Sequence, residues 1–454
     1  MTILIVEISK YLMMFLFALY TFMCFAVFRG NRNQKKKDRL FLWQRVLMYA
    51  IHFSAFLALY AVQNDWRVII FYLFQVILIS IVLTCYQLFY SGASMLLANN
   101  MCMLLIVGFT MLTRLSIERA IKQYIIALAA VVLTLVIPLM IHKLTFLKRM
   151  TWVYALVGIA GLLAVAVLGK TSYGAKISIS IAGLFTIQPS EFIKILFVFF
   201  VACMLWRNPN FKTVCITTAV AAVHVLILVM SRDLGGALIY FITYLIMLYV
   251  ATKKLFYFAS GILCGSIAAM IAYQMFTHVQ VRVVAWKDPL RVIDNEGYQI
   301  CQSLFAIGTG GWFGMGLGQG TPNKIPVVEQ DFIFSAIAEE MGTIFALCLI
   351  MVCASCFLIF LNVAMQMKDR FYKLLALGFG IVYGFQIFLT IGGAIKLIPS
   401  TGVTLPLVSY GGSSLLATMI IFAVIQGLCV LRQDEGEDHE RKKQGQAYPK
   451  IQSE

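Results

Sequence analysis

The sequence predicts an all-α protein that crosses a membrane many times. Three observations carry that prediction. Of 454 residues, 61% are hydrophobic and 12% charged, and the mean hydropathy is +0.89. Apolar runs long enough to span hydrocarbon recur from one end of the chain to the other. Polar and irregular sequence is gathered into a few segments between them. A soluble domain is roughly half apolar and about a quarter charged, so a soluble enzyme, a disordered chain and a fibrous repeat are excluded. The net charge of +16 comes from 36 Lys and Arg against 20 Asp and Glu. In a soluble protein it would suggest nucleic acid. Here the positive charge sits in loops between spans, as membrane proteins place it, so no nucleic-acid partner is expected.

Thirteen segments can span, centred near residues 10–28, 43–62, 68–89, 97–113, 122–141, 150–169, 189–206, 212–230, 234–251, 255–276, 332–362, 373–395 and 408–431. Each approaches the roughly 20 residues needed to cross about 30 Å at 1.5 Å per residue. The first is not read as a cleaved signal peptide, because its positive charge follows the apolar run. Between the first two spans lie Arg29, Arg32, Lys35, Lys36, Lys37 and Arg39, which marks that loop as cytoplasmic. Alternation then puts Lys143, Lys148, Arg149, Arg207, Lys212, Lys253, Lys254, Lys368, Arg370 and Lys373 on the same side. The N-terminus is expected outside and the C-terminus inside.

The segment 277–331 is external in this scheme. It is long and glycine-rich, and it carries Trp286, Tyr298, Trp312 and Phe313. A loop of that length and complexity is expected to be ordered and functional. From Arg432 onward both charges mix with few apolar groups, which predicts a disordered tail. The eleven cysteines fall mostly within apolar runs and read as small buried hydrophobes. Cys353 and Cys356 have no second pair, Cys301 alone looks external, and the five histidines form no cluster, so a zinc site is not expected.

Charge within a span needs a reason. Gln188-Pro189-Ser190-Glu191 opens one span, and Glu191 and Lys194 at i, i+3 can pair on one helix face. Asp233 opens another and suits a helix N-terminus. Glu339 and Glu340 lie about two turns into the eleventh span. The external segment reads RVVAWKDP (282–289), GYQICQSLFAIGTGGWFGMGLGQG (297–320) and KIPVVEQDFIFSAIAEEMG (324–342), with six glycines from Gly308 to Gly318. No Walker lysine follows them, and a nucleotide site is excluded. PSTGVTLPLVSYGGSS (399–414) combines prolines, glycines and hydroxyls at the start of the last span. Irregular backbone at membrane depth must be buried in protein or line a cavity. Arg282, Lys287, Gln299, Gln302, Lys324, Glu329, Lys396, Ser409 and Ser413 are the polar candidates these segments offer to a substrate. Gln188, Glu191, Lys194, Asp233, Glu339 and Glu340 are read as structural or site-lining.

GAKISISIAGLFTIQPSEFIKI (174–195), RDLGGAL (232–238), the loop motifs, DFIFSAIAEEMG and GVTLPLVSYGGSS together resemble the SEDS family of shape, elongation, division and sporulation proteins, typified by FtsW and RodA. The resemblance covers roughly residues 98–431. It implies a ten-helix core over 97–431, preceded by a three-helix extension over 1–96 and followed by the tail 432–454. It also implies polymerisation of lipid II into glycan strands on the outer face of a bacterial plasma membrane. The partners implied are a class B penicillin-binding protein transpeptidase and other division or elongation proteins. The family's catalytic aspartate opens the DFIF motif and corresponds to Asp331, a position that without the resemblance reads as a helix N-cap. A carboxylate there can act as general base, with Arg282, Lys287, Lys324 or Lys396 offsetting pyrophosphate charge.

Two positions depart from the family pattern. Ile177 and Ser178 replace Arg-Trp, and Glu329 and Gln330 replace His-Thr. Glu329 could bind a divalent cation, Mg or Mn, or raise the pKa of Asp331 by like-charge repulsion. No other cofactor is suggested. A precursor flippase and a non-catalytic scaffold for a transpeptidase are the competing functions. A flippase would distribute polar groups through the depth of the bundle, whereas here they cluster near the ends of the spans.

Overall fold

The computed structural model describes residues 2–28, 34–143, 145–172, 175–181, 185–207 and 209–446. Arg29 and Arg32 of the basic loop, and Gly174, lie outside them. Three helices come first: α1 (Thr2–Phe28), α2 (Gln34–Gln63) and α3 (Trp66–Phe89). They are followed by α4 (Met95–Leu115), α5 (Ile117–Lys143), α6 (Thr151–Leu168), α7 (Pro189–Leu205), α8 (Phe211–Met230), α9 (Leu234–Thr252) and α10 (Leu255–Met275). Two shorter helices, α11 (Thr277–Lys287) and α12 (Tyr298–Gly310), precede α13 (Ile333–Gln366), α14 (Arg370–Ala394) and α15 (Gly412–Gln446).

Twelve of these helices are long and apolar enough to cross a membrane. The remaining segment of the thirteen read from sequence is α7, whose 17 residues lie at the short end of the spanning range. The protein is thus a multi-pass, essentially all-helical membrane protein. A small sheet accompanies the helices. The strands β1 (Lys170–Ser172), β2 (Ala175–Ile181) and β3 (Phe185–Ile187) pair in a small antiparallel meander, with Ile179 opposite Ile187 and Ser180 opposite Thr186. The strict Ile-Ser alternation of 177–181 is a period-2 pattern. Ile177 and Ser178 are residues of β2.

Starts and stops follow local chemistry. Asp65, Ser94, Asn210, Asp233 and Asp369 cap the helices that follow them by accepting a backbone N–H. Pro189 sits in the first turn of α7, where its missing N–H leaves no hydrogen bond unmade. Helix α15 continues to Gln446, past the Arg432 boundary at which the sequence places the end of folded structure.

The bundle is built around α4, which is apolar nearly all round and buried nearly all round. At the other extreme, α10 has no buried residue and packs by one face only, with Gly261 and Gly265 against Leu245 and Phe241 of α9. Helices α5 and α15 pack closely where Gly427 lies against Pro138 and Ile141. In the same way, α14 approaches α7 and α9 at Gly378, against Val198 and Met247. The loop residues Lys148, Arg149 and Arg207 lie together. There Lys148 pairs with Asp369 and sits 4.6 Å from the centroid of the Tyr372 ring.

Buried polar groups knit the helices together. Lys194 pairs with Glu191 on α7, as the i, i+3 spacing predicts, and donates to Gln386 Oε1 of α14 at 2.8 Å. Gln386 Nε2 in turn donates to the Thr404 carbonyl at 3.0 Å. Lys194→Ala removes the buried partner of the mostly buried Glu191 carboxylate, and breaking such a pair costs about 3–5 kcal/mol. The expected outcome is a lower membrane yield and melting temperature with residual specific activity. Unchanged melting with abolished turnover would show that the pair serves the chemistry instead.

Candidate active site

The end of the bundle opposite the basic loops carries the segments singled out from sequence. The long segment there is structured: α11 and α12 are followed by a glycine-rich turn over 311–320 and a 3-10 turn over Pro322–Lys324. Glu339 and Glu340, in the first turns of α13, hold that glycine-rich turn. Glu340 pairs with Arg114 at 2.9 Å and accepts the Gly318 N–H at 2.9 Å, and Glu339 accepts the Thr321 N–H at 2.9 Å. Helix α13 kinks at Gly342, whose φ of 88° is open to glycine but strained for other residues. A Cβ there would meet Gly314 N at 2.5 Å, so the turn packs backbone against backbone.

The 399–414 segment closes on the start of α13. The Tyr410 N–H donates to the Glu329 carbonyl at 2.7 Å, and Ser409 Oγ donates to the Gln330 carbonyl at 2.5 Å. Ser409 Oγ also accepts the Leu405 N–H at 2.9 Å, and Gln123 of α5 donates to the Ser409 carbonyl at 3.1 Å. Ser413 Oγ accepts the Gln188 N–H at 2.9 Å, which brings the start of α7 to the same place.

These joins set Asp331 beside Arg282. Both side chains approach Gly402: a Cβ on that glycine would lie 3.6 Å from Asp331 Oδ2 and from Arg282 Nη2. The φ of Gly402 is 74°, so its backbone also favours glycine. Arg282 is held by its Nη1 hydrogen bond to the Ser400 carbonyl at 3.0 Å. Burial lifts the Asp331 carboxyl to about 6, against the opposing pull of the Arg282 guanidinium. Among the described residues, Asp331 makes no hydrogen bond, so it does not cap α13.

Asp233 lies on the far side of Arg282. It caps α9 by accepting the Gly236 N–H at 2.8 Å, and it accepts from Ser190 Oγ at 3.1 Å. Burial raises its carboxyl too; the Gly236 N–H lowers it and Glu191 raises it further. Burial lowers the Arg282 guanidinium, and Asp331 and Asp233 restore part of the loss.

The remaining candidates are spread more widely. Lys287 and Lys324 are exposed, and Lys396 is half-buried, with its carbonyl accepting from Trp286 Nε1 at 3.2 Å. Gln299 donates to the Pro326 carbonyl at 2.8 Å, and Gln302 is half-buried on α12. Cys301, expected in an external loop, is buried within α12. Glu329 departs from expectation. Its carboxylate is taken by Arg119 of α5, and burial, not Glu329, accounts for the raised Asp331 carboxyl. Among the described residues no group of three His, Cys, Asp or Glu side chains could hold a metal ion.

Sequence reasoning missed several residues. His278 precedes Arg282 by one helical turn on α11, and its Nε2 is buried without a partner. Burial lowers its pKa, as do Arg232 and Arg282. The i, i+4 spacing was the available signal. Thr401 Oγ1, beside Gly402, is likewise buried and unpartnered. Arg114 and Arg119 carried no signal, because they read as ordinary basic residues at helix ends.

The chain matches the family described as cell cycle protein, FtsW/RodA/SpoVE, over residues 89–433. It is 36% identical over 290 residues to the peptidoglycan glycosyltransferase RodA of Mycobacterium tuberculosis, covering 59% of this chain and 62% of that one. It is 33% identical over 280 residues to the probable peptidoglycan glycosyltransferase FtsW of Aliivibrio salmonicida, covering 60% of this chain and 70% of that one. The chain thus spans a little under two thirds of the mycobacterial relative's length. Its fold is similar to a chain solved in work on the structural coordination of polymerization and crosslinking by a peptidoglycan synthase complex. That similarity has a TM-score of 0.62 at 22% identity, covering 76% of this chain and 99% of that one. Rod shape determining protein RodA of Thermus thermophilus aligns with a TM-score of 0.53 at 22% identity, covering 75% and 97%. With three quarters of its length matched, the chain belongs to the FtsW/RodA/SpoVE family of cell cycle proteins.

Proposed function

We propose that this protein is a peptidoglycan glycosyltransferase that polymerises lipid II at the outer face of the plasma membrane, with its N-terminus outside and its C-terminus in the cytoplasm. The observation that carries the reading is Asp331, a carboxylate free of hydrogen bonds, raised to about 6 by burial and set beside Arg282. A general base works best when its pKa lies near the operating pH. Asp331 takes the proton of a sugar 4-hydroxyl as that oxygen attacks the anomeric carbon of the second substrate. The bond from that carbon to the lipid pyrophosphate breaks with inversion, and the electron pair leaves on the pyrophosphate. Arg282 offsets the charge that develops there. Lys287, Lys324 and Lys396 are further cations for the same anion.

Glu191, Lys194 and Gln386 are polar groups buried between helices, as a flippase would require. They lie in the first two turns of α7 and the later turns of α14, towards the same end as Asp331, which favours chemistry at one face over passage through the bundle. A polymerase of uncrosslinked strands also requires a transpeptidase at that face. A class B penicillin-binding protein is the partner proposed.

Asp331→Asn removes the base and should lower gel-resolved glycan from labelled lipid II by at least about 100-fold at matched protein levels. Glu329→Gln removes only a half-exposed ion pair and should change polymer by less than about fivefold. Near-normal polymer from Asp331→Asn with an inactive Glu329→Gln would move the base to Glu329. A Glu329→Gln defect that varies with Mg or Mn concentration would place a cation there.

The acid limb of the kcat/KM profile should fall at about pH 6, the value to which burial raises Asp331. Arg282 holds that value down, so Arg282→Gln should move the limb to higher pH as well as slow the reaction. A limb unmoved by the substitution would separate Arg282 from the base. Orientation is tested in intact cells with a membrane-impermeant thiol reagent on cysteine-free background variants. Asn323→Cys should label and Lys36→Cys should not; the reverse pattern inverts the topology.

A further inference from the structure

The family match begins at residue 89, so α1, α2 and nearly all of α3 lie outside it and carry no assigned role. These helices are not loosely appended. Tyr20 of α1 donates to Asn100 Oδ1 of α4 at 3.0 Å, and Asn100 Nδ2 donates to Ser355 Oγ of α13 at 3.1 Å. Gln44 Oε1 of α2 accepts from Asn99 Nδ2 at 3.0 Å. Phe17 packs on Phe345 of α13 with ring centroids 4.4 Å apart. Unpaired polar groups in hydrocarbon are costly, so this network fixes the position of α1 and α2 against α4 and α13.

That position brings the site-end tips of α1 and α2 against the glycine-rich turn. A Cβ on Gly316 would lie 2.6 Å from Val6 Cγ1, and one on Gly318 would lie 3.0 Å from Val62 Cγ1. The Tyr11 and Phe313 ring centroids are 6.0 Å apart. Val6 is only 1% exposed. The turn's other side is held by α13, through Glu339, Glu340 and the backbone bonds from Met315 and Gly316 to their carbonyls. Gly314, Gly316 and Gly318 all have positive φ. Ordering glycine loses more conformational freedom than ordering any other residue, so such a turn needs holding on both sides to keep one shape. Eleven residues beyond Gly320 the chain reaches Asp331.

We propose that the N-terminal helices are a built-in brace for the glycine-rich turn, and that Val6, Tyr11 and Val62 are positioning residues for the reaction at Asp331. The proposal rests on the polymerase reading. A small misplacement of a catalytic group lowers the rate without removing any contact to substrate.

The test uses the full-length protein in detergent or nanodiscs. Hydrogen exchange is measured alongside kcat and KM for lipid II. Tyr11→Ala and Val6→Ala should accelerate amide exchange across residues 314–320 at least about tenfold while exchange in α4 and the rest of α13 is unchanged. In the same variants kcat should fall about tenfold or more, with KM changed less than about twofold. Tyr11→Phe keeps the ring contact and should restore both values. Phe15→Ala, on an outward-facing position of α1 that is 61% exposed, should alter neither. Unchanged exchange in the turn would overturn the brace. Faster exchange with normal kcat would overturn the positioning role. Faster exchange spread evenly over all the spans would reduce α1 to a general stabiliser and also overturn it. If the wild-type protein made no polymer, the polymerase reading would fall, and the exchange data would still decide whether the brace exists.

Discussion

The join between the Glu329–Gln330 backbone and the Ser409–Tyr410 turn is the contact on which the site depends. Two main-chain carbonyls at the start of α13 accept from the Tyr410 N–H and the Ser409 hydroxyl. Backbone carbonyls left unpaired in packed protein are costly, so the pairing is favoured. It fixes Asp331 at the mouth of α13 and, through the 399–404 backbone, places Gly402 and the Ser400 carbonyl that holds Arg282. What gives Asp331 its character follows from that placement: burial, the guanidinium beside it and, among the described residues, the absence of a hydrogen-bond partner.

Charged groups in the bundle divide by what they satisfy. Glu340 and Arg114, Glu191 and Lys194, and Glu329 and Arg119 are matched pairs. A matched pair recovers in attraction part of what its two charges lose in hydration. Asp233 is spent as a helix cap. Asp331 stays unmatched, and its raised carboxyl reflects that. An unpaired, half-desolvated acid beside a cation is unfavourable for stability. It is also the state a general base requires.

Much of this was legible in the chain. Hydropathy located thirteen helices, twelve of them long and apolar enough to span and the short α7 the exception, and loop charge set the basic loops apart from the segments that carry the motifs. The i, i+3 spacing of Glu191 and Lys194 anticipated their pairing, because neighbours on a helix face are fixed by the helix itself. The three-stranded meander was missed although Ile177–Ile181 alternates. A short strand between long apolar helices leaves only a few residues of signal.

Sequence by itself determined what is local: the fold class, the order and length of the helices, the polar segments and the place of Asp331 at the start of an apolar run. Tertiary structure alone decided the partners. Glu329 meets Arg119 across 210 residues, and Glu340 meets Arg114 across 226. Periodicity reports which face of an element is apolar and is silent on which distant element will cover it. So the carboxylate next to Asp331 in sequence proved to be an ion-pair partner, and two further glutamates proved to be anchors for a glycine-rich turn. Helices α1 and α2, read from sequence as spans without a function, came to rest against that same turn. Their polar groups and small apolar tips acquire meaning only from what packs against them.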